Sequence, residues 1–223
     1  MTPDALSREQ LARRIDHAVL RPDAVVADVH RGCEIAARWN VASVCVRPCD
    51  VKFAKTLLAG SGVETGTVIS FPHGSCSAKV KAYEAAAAVQ DGADELDMVV
   101  NLGLLRSGEL AAAADDIAGV VAAAGEKVVK VILECGYLTR EEMAMGCKAA
   151  MSAAAAFVKT STGFGPGGAT TDDVQFLRQQ VGNTMRVKAS GGIKTLADAL
   201  AMIRAGADRL GTSNTETILG EIR

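Results

Sequence analysis

The chain has 223 residues, 49% apolar and 22% charged, with aromatics at 4% and a formal net charge of −2. This is the balance of a soluble globular protein with a sizeable core, and α/β barrels of about this length fold as one domain. Interspersed charges and scarce rings exclude a nucleic-acid or anionic-membrane surface, and no run approaches the ~18 uninterrupted apolar residues of a membrane span.

The N-terminal stretch MTPDALSREQLARRIDH is polar and lacks the apolar core of a signal peptide, so a cytoplasmic setting and an additional N-terminal helix are expected. Eight short β-branched runs follow: Ile15–Ala18, Val41–Val46, Thr67–Ser70, Glu95–Val99, Val128–Leu133, Phe157–Thr160, Arg186–Ala189 and Arg209–Gly211. They recur at roughly 20–35 residues, the length of one βα unit. Between them lie alanine-rich helical runs with clear boundaries. Thr139 with Glu142 and Thr195 with Asp198 have capping-box spacing, and Asp172 and Asp173 supply negative charge at a helix start. Gly92 in QDGAD and Gly206 in RAGAD end two helices alike, a hint of internal repetition. Eight strands alternating with helices, and no linker dividing residues 1–223, define a single α/β domain, a (β/α)8 TIM barrel. An open doubly wound sheet is the alternative, but no Gly-x-Gly-x-x-Gly follows an early strand.

Active sites of such barrels lie at the C-terminal ends of the strands. Phe157 and Lys159 share one strand face, because side chains alternate. If that face is inward, Lys159 projects into the barrel near its mouth, where burial lowers the proton affinity of the amine and makes it a nucleophile. A lone strand-end lysine more often reaches solvent. Lys188, in RVKASGG, falls at the same level of the next strand, and two adjacent amines each disfavour the other's charge. Asp97 shares a face with Glu95 and Val99, and a carboxylate in such a strand needs a partner, which a nearby lysine supplies. Lys130, Asp16 and Cys45 are weaker candidates for the same interior, with Cys45 read as packing. Glycine-rich turns follow the last three strands: Ser161–Gly163, Ser190–Gly192 and Gly211–Asn214. With Lys194 and Ser213 beside them, Gly163, Gly191, Gly192 and Gly211 form a candidate phosphate cradle. The six cysteines form no CxxC pair and the three histidines are scattered, so neither a metal site nor a cofactor is expected. An amine nucleophile, a second amine, a carboxylate and an oxyanion cradle suit Schiff-base chemistry on a phosphorylated carbonyl compound.

FVKTSTGFG, VKASGGIKT, ADELDMVVNLG, SVCVRP and IDHAVL together resemble the 2-deoxyribose-5-phosphate aldolase family, with matches in order from about Ile15 to about Asn214. The resemblance implies a metal-independent lyase that reversibly cleaves 2-deoxy-D-ribose 5-phosphate to glyceraldehyde 3-phosphate and acetaldehyde. It makes Lys159 the Schiff-base lysine and Lys188 the residue that depresses its pKa. Asp97 becomes the proton donor and acceptor, and Gly163, Gly191, Gly192 and Ser213 the phosphate contacts. Its partners would be phosphosugar and aldehyde substrates, with a homodimer or higher homo-oligomer expected. Another Schiff-base barrel aldolase or transaldolase, or a sugar-phosphate binder without activity, are the competing readings. The chain departs from the family pattern at Ala18, Ser70, His73 and Asn214, and ends at Arg223 without a C-terminal tyrosine.

Overall fold

The computed structural model describes residues 6–222. Its strands are β1 (Ile15–Val19), β2 (Ser43–Val46), β3 (Glu64–Ile69), β4 (Glu95–Val99), β5 (Val128–Ile132), β6 (Phe157–Lys159), β7 (Arg186–Ser190) and β8 (Arg209–Thr212). Each pairs in parallel with the next, and β8 closes on β1, giving the barrel that the alternation of strands and helices predicts. Among the described residues, a short helix α1 (Arg8–Ala12) precedes β1, as expected. The remaining helices are α2 (Val26–Trp39), α3 (Val51–Leu57), α4 (Ala78–Gln90), α5 (Leu102–Arg106), α6 (Leu110–Ala124), α7 (Arg140–Ser152), α8 (Thr171–Val181), α9 (Leu196–Arg204) and α10 (Thr215–Gly220).

All eight strands lie where the sequence places them, and their ends differ by a few residues. The largest difference is β3, which starts at Glu64 rather than Thr67. Glu64, Thr65 and Gly66 do not read as strand, yet Asp94 holds this segment by accepting the Thr65 N–H at 3.1 Å. The capping boxes at Thr139 and Thr195 form as their spacing requires. The two GAD turns prove to be structural equivalents. Asp94 accepts the Thr65 N–H of β3 and pairs with Lys55, whose side chain packs over Gly92. Asp208 accepts the Val187 N–H of β7 and pairs with Arg178, whose side chain packs over Gly206. Each turn therefore pins the start of the strand before it with one carboxylate and one cation.

Strand alternation divides the interior into two regions of opposite character. Val44, Val46, Leu96, Met98, Val129, Val131, Val158, Val187 and Leu210 face the helices and build the apolar layer that holds the molecule together. The other strand face fills the barrel with Asp16, Asp97, Lys130, Lys159 and Lys188, all at most 3% exposed. Phe157 seals the lower part of this interior. The Arg186 guanidinium lies 4.0 Å over its ring, and Arg209 and Lys130 lie 5.7 Å and 5.8 Å from it.

Among the described residues, the helix layer holds one buried charged pair of its own. Lys81 on α4 is wholly buried, 2.5 Å from Asp116 on α6, and donates to the Val99 carbonyl at the end of β4 at 3.0 Å. Removing one member of such a pair leaves the other buried and uncompensated, at a cost of about 3–5 kcal/mol. Lys81→Met is expected to destabilise the fold by that amount in chemical denaturation. Lys81→Met combined with Asp116→Leu is expected to recover part of the loss.

Candidate active site

Register brings the charged residues together. Lys159 on β6 is the direct neighbour of Lys188 on β7, and Asp97 on β4 is the direct neighbour of Lys130 on β5. Their side chains converge on Asp97. Its carboxylate accepts from Lys159 and Lys188 at 2.7 Å and from Lys130 at 2.9 Å. Asp16 on β1 forms the second hub, pairing with Lys188, Arg209 and, at 3.3 Å, Lys130. Glu95 completes the set at 2.6 Å from Lys130.

This network sets three carboxylates, Asp16, Glu95 and Asp97, against four cationic side chains, Lys130, Lys159, Lys188 and Arg209. In a water-poor interior an unmatched charge is costly, so one base is under pressure to lose its proton. The perturbations show which one. Burial lowers the pKa of Lys159, and the positive charge of Lys188 lowers it further, against the pull of Asp97. Lys188 moves the opposite way: burial opposes its charge, but Asp16 and Asp97 outweigh burial and raise its pKa. Only Lys159 ends with a lowered pKa, because Lys188 has in Asp16 a carboxylate partner that Lys159 lacks. Lys130 is likewise raised well above the ordinary lysine range by Asp16, Asp97 and Glu95 despite burial.

Asp97 is held toward its charged form. Burial favours its neutral form, but Lys130, Lys159 and Lys188 hold its carboxyl well below the usual range. Its charged form is favoured in the free protein, with the Lys188 ammonium 2.7 Å away. Cys45 is buried in the same interior with its thiol pushed up to about 11, first by burial and then by Asp97, which fits packing and not nucleophilic attack.

A cavity of about 260 Å³ opens at the mouth above these residues. Lys159 and Lys188 form part of its lining, while Asp97 sits beneath them. Gly163, Gly191, Gly192, Lys194, Gly211 and Ser213 all line it, so the three C-terminal turns converge as their spacing suggests. Gly191 and Gly192 have φ of 88° and 80°, a region that side chains rarely adopt, and the bare backbone of this turn borders the cavity. Gly211 is glycine for another reason: a Cβ there would stand 2.9 Å from Cβ of Ser190 and 3.1 Å from Cε of Lys188. The start of α9 contributes less than its sequence suggests. Asp198 already accepts the N–H groups of Lys194 and Thr195, leaving the Lys194 side chain as what that position offers an anion. Ala18 and Asn214 line the cavity, while His73 is exposed and Ser70 donates its N–H to Glu84. Arg223 lies outside the described residues.

Sequence reasoning misses Arg209, whose position at the start of β8 looks like a solvent-facing end. Its register opposite Lys188 is the signal that places it inside. Thr162 and Phe164 also line the cavity and were hidden within a turn read for its glycines.

A closed barrel with a buried, charge-depressed lysine below a glycine-lined mouth has the parts of an amine-dependent aldolase. Residues 11–216 match the profile described as DeoC/LacD family aldolase. The chain is 50% identical over 218 residues to a deoxyribose-phosphate aldolase of Carboxydothermus hydrogenoformans, covering 96% of each chain. It is 48% identical to that of Coprothermobacter proteolyticus, covering 95% of this chain and 96% of the relative. A solved structure of a tetrameric deoxyribose phosphate aldolase from Aeropyrum pernix superposes with a TM-score of 0.90 at 34% identity, over 97% of this chain and 93% of the other. The chain belongs to the DeoC/LacD aldolase family.

The charge balance predicts a pH signature. Lys188→Met leaves three carboxylates facing three cations with Lys159 protonated, so the pKa of Lys159 rises and its neutral fraction at neutral pH falls. Each unit of that rise is worth tenfold. Adduct formation between acetaldehyde and Lys159, trapped by borohydride, is expected to fall about tenfold or more at pH 7 and to recover at higher pH. The pH profile of adduct formation in the two proteins checks this.

Proposed function

We propose that Lys159 carries the chemistry of this enzyme by forming a Schiff base with its substrate. The chain acts as a deoxyribose-phosphate aldolase, a lyase, cleaving 2-deoxy-D-ribose 5-phosphate to glyceraldehyde 3-phosphate and acetaldehyde. The observation that supports the role of Lys159 is its position: of the four cations in the network, it alone has its pKa lowered and it lines the cavity.

The neutral amine attacks the aldehyde carbon, the Lys188 ammonium gives its proton to the departing hydroxyl, and loss of water leaves an iminium on Lys159 and a neutral amine on Lys188. The positive charge has thereby moved from Lys188 to the iminium, beside Asp97. The neutral Lys188 amine then takes the C3 hydroxyl proton as the C2–C3 bond breaks. The bonding electrons flow into the iminium, giving a neutral enamine and free glyceraldehyde 3-phosphate. The interior therefore holds three charges of each sign before and after cleavage, so no step leaves an unmatched charge in the buried surroundings. Protonation of the enamine carbon and hydrolysis release acetaldehyde and regenerate Lys159. In this reading Lys188 is the proton carrier at the mouth, Asp97 fixes both amines, and the Gly163, Gly191–Gly192 and Gly211–Ser213 turns with Lys194 hold the phosphate.

The small phosphorylated substrate fits a cytoplasmic enzyme, and the tetrameric relative makes a homo-oligomer our reading of its assembly. Lys159→Ala is expected to yield no borohydride-trapped acetaldehyde adduct by mass spectrometry and to reduce cleavage to background. Asp97→Asn is expected to lower kcat by about 10²-fold or more, the scale of a lost proton-transfer arrangement. An adduct mapping to another lysine in the wild-type protein would overturn the assignment.

A further inference from the structure

Glu134 follows β5 and is 2% exposed, with φ 53° and ψ 62° in the left-handed region. Residues other than glycine occupy that region where their surroundings hold them. Here the side chain is held by the turn after β6. Both carboxylate oxygens lie 3.2 Å from the Thr162 N–H, and the Thr162 hydroxyl donates to the same carboxylate. The Thr162 oxygen in turn accepts the Phe164 N–H at 3.0 Å. One buried carboxylate therefore fixes, directly or through one hydroxyl, the N–H groups on either side of Gly163.

The surrounding backbone reinforces this clamp. The Leu133 N–H donates to the Lys159 carbonyl and the Cys135 N–H to the Thr160 carbonyl, both at 2.9 Å, so the β5–β6 pairing continues past the end of the strands. Glu134 sits between these two bonds, level with the exit of the chain from Lys159. Gly165 crosses directly over it, and a Cβ at that position would stand 2.8 Å from the Glu134 carboxyl carbon. Burying a carboxylate is costly unless donors meet it, and here the donors belong to the turn that lines the cavity with Thr162, Gly163 and Phe164.

We infer that Glu134 is a positioning residue for the phosphate end of the substrate, acting through Thr162 to hold the Gly163 turn against the cavity. The inference rests on the aldolase reading, in which Gly163 is a phosphate contact. It differs from a role in fold maintenance because it concerns one end of the substrate. The amine at Lys159 is served by other residues.

The test compares 2-deoxyribose 5-phosphate with unphosphorylated 2-deoxyribose in the full-length enzyme. Glu134→Gln keeps the size and removes the charge. Its kcat/KM for the phosphorylated sugar is expected to fall about tenfold more than that for deoxyribose, with the difference carried by KM, the scale of one charge-assisted hydrogen bond. Acetaldehyde, which has no phosphate, is expected still to be trapped on Lys159 in this variant. Thr162→Val is expected to shift the same ratio, and Thr162→Ser, which retains the hydroxyl, to shift it less. This second pair carries the test if Glu134→Gln does not fold. An equal loss on both sugars, or no loss, would overturn the role of Glu134 and leave the aldolase reading intact. A wild-type protein that cleaves no 2-deoxyribose 5-phosphate would overturn both.

Discussion

The structure depends on a charge imbalance held inside a closed barrel. Three carboxylates and four cationic groups share an interior that has little water, and the surplus positive charge must be relieved somewhere. Asp16 is the residue that decides where. By pairing with Lys188, Lys130 and Arg209, it gives those cations a reason to stay charged. Lys159 is tied to Asp97 but not to Asp16, so it is the member of the set whose proton is least well held. The lowered proton affinity of Lys159 is thus a property of the whole network and not of one side chain.

That network survives because the two faces of each strand do different work. The outward face and the helices supply the apolar burial that stabilises the fold. The inward face is released from that duty and can carry polar groups whose mutual pairing only has to offset their own desolvation. Phe157 marks the boundary within the barrel, an aromatic plug with Arg186, Arg209 and Lys130 around its ring. Below it the interior meets solvent through Arg186, and above it Asp16, Lys159 and Lys188 line the cavity at the mouth.

The sequence makes much of this legible, for identifiable reasons. Strand positions follow from β-branched runs at βα spacing, and the inward direction of Lys159 and Asp97 follows from strict alternation. The convergence of Gly163, Gly191, Gly192 and Gly211 follows from the rule that loops after the last strands meet at one face. What remains hidden depends on register around the barrel, which single-strand patterns do not encode. Arg209 looks like a strand start until β7 and β8 are aligned, and Glu134 looks like a loop acid until the β5 and β6 exits are placed together. The opposite shifts of Lys159 and Lys188 are hidden for the same reason, since the partner that separates them, Asp16, is 172 residues from Lys188 in the chain.

Gly211 shows what the arrangement means for portability. Its missing side chain leaves room for the Ser190 Cβ and the Lys188 Cε of β7, so a residue on β8 with no functional group of its own bears on how the Lys188 side chain packs. Transplanting Lys159, Lys188 and Asp97 into another barrel would carry over the reactive groups without the vacancy or the counter-ions that set their states. The smallest unit that could be moved between scaffolds is a ring of contributions from β1, β4, β5, β6, β7 and β8, and one of its members is an absence of atoms.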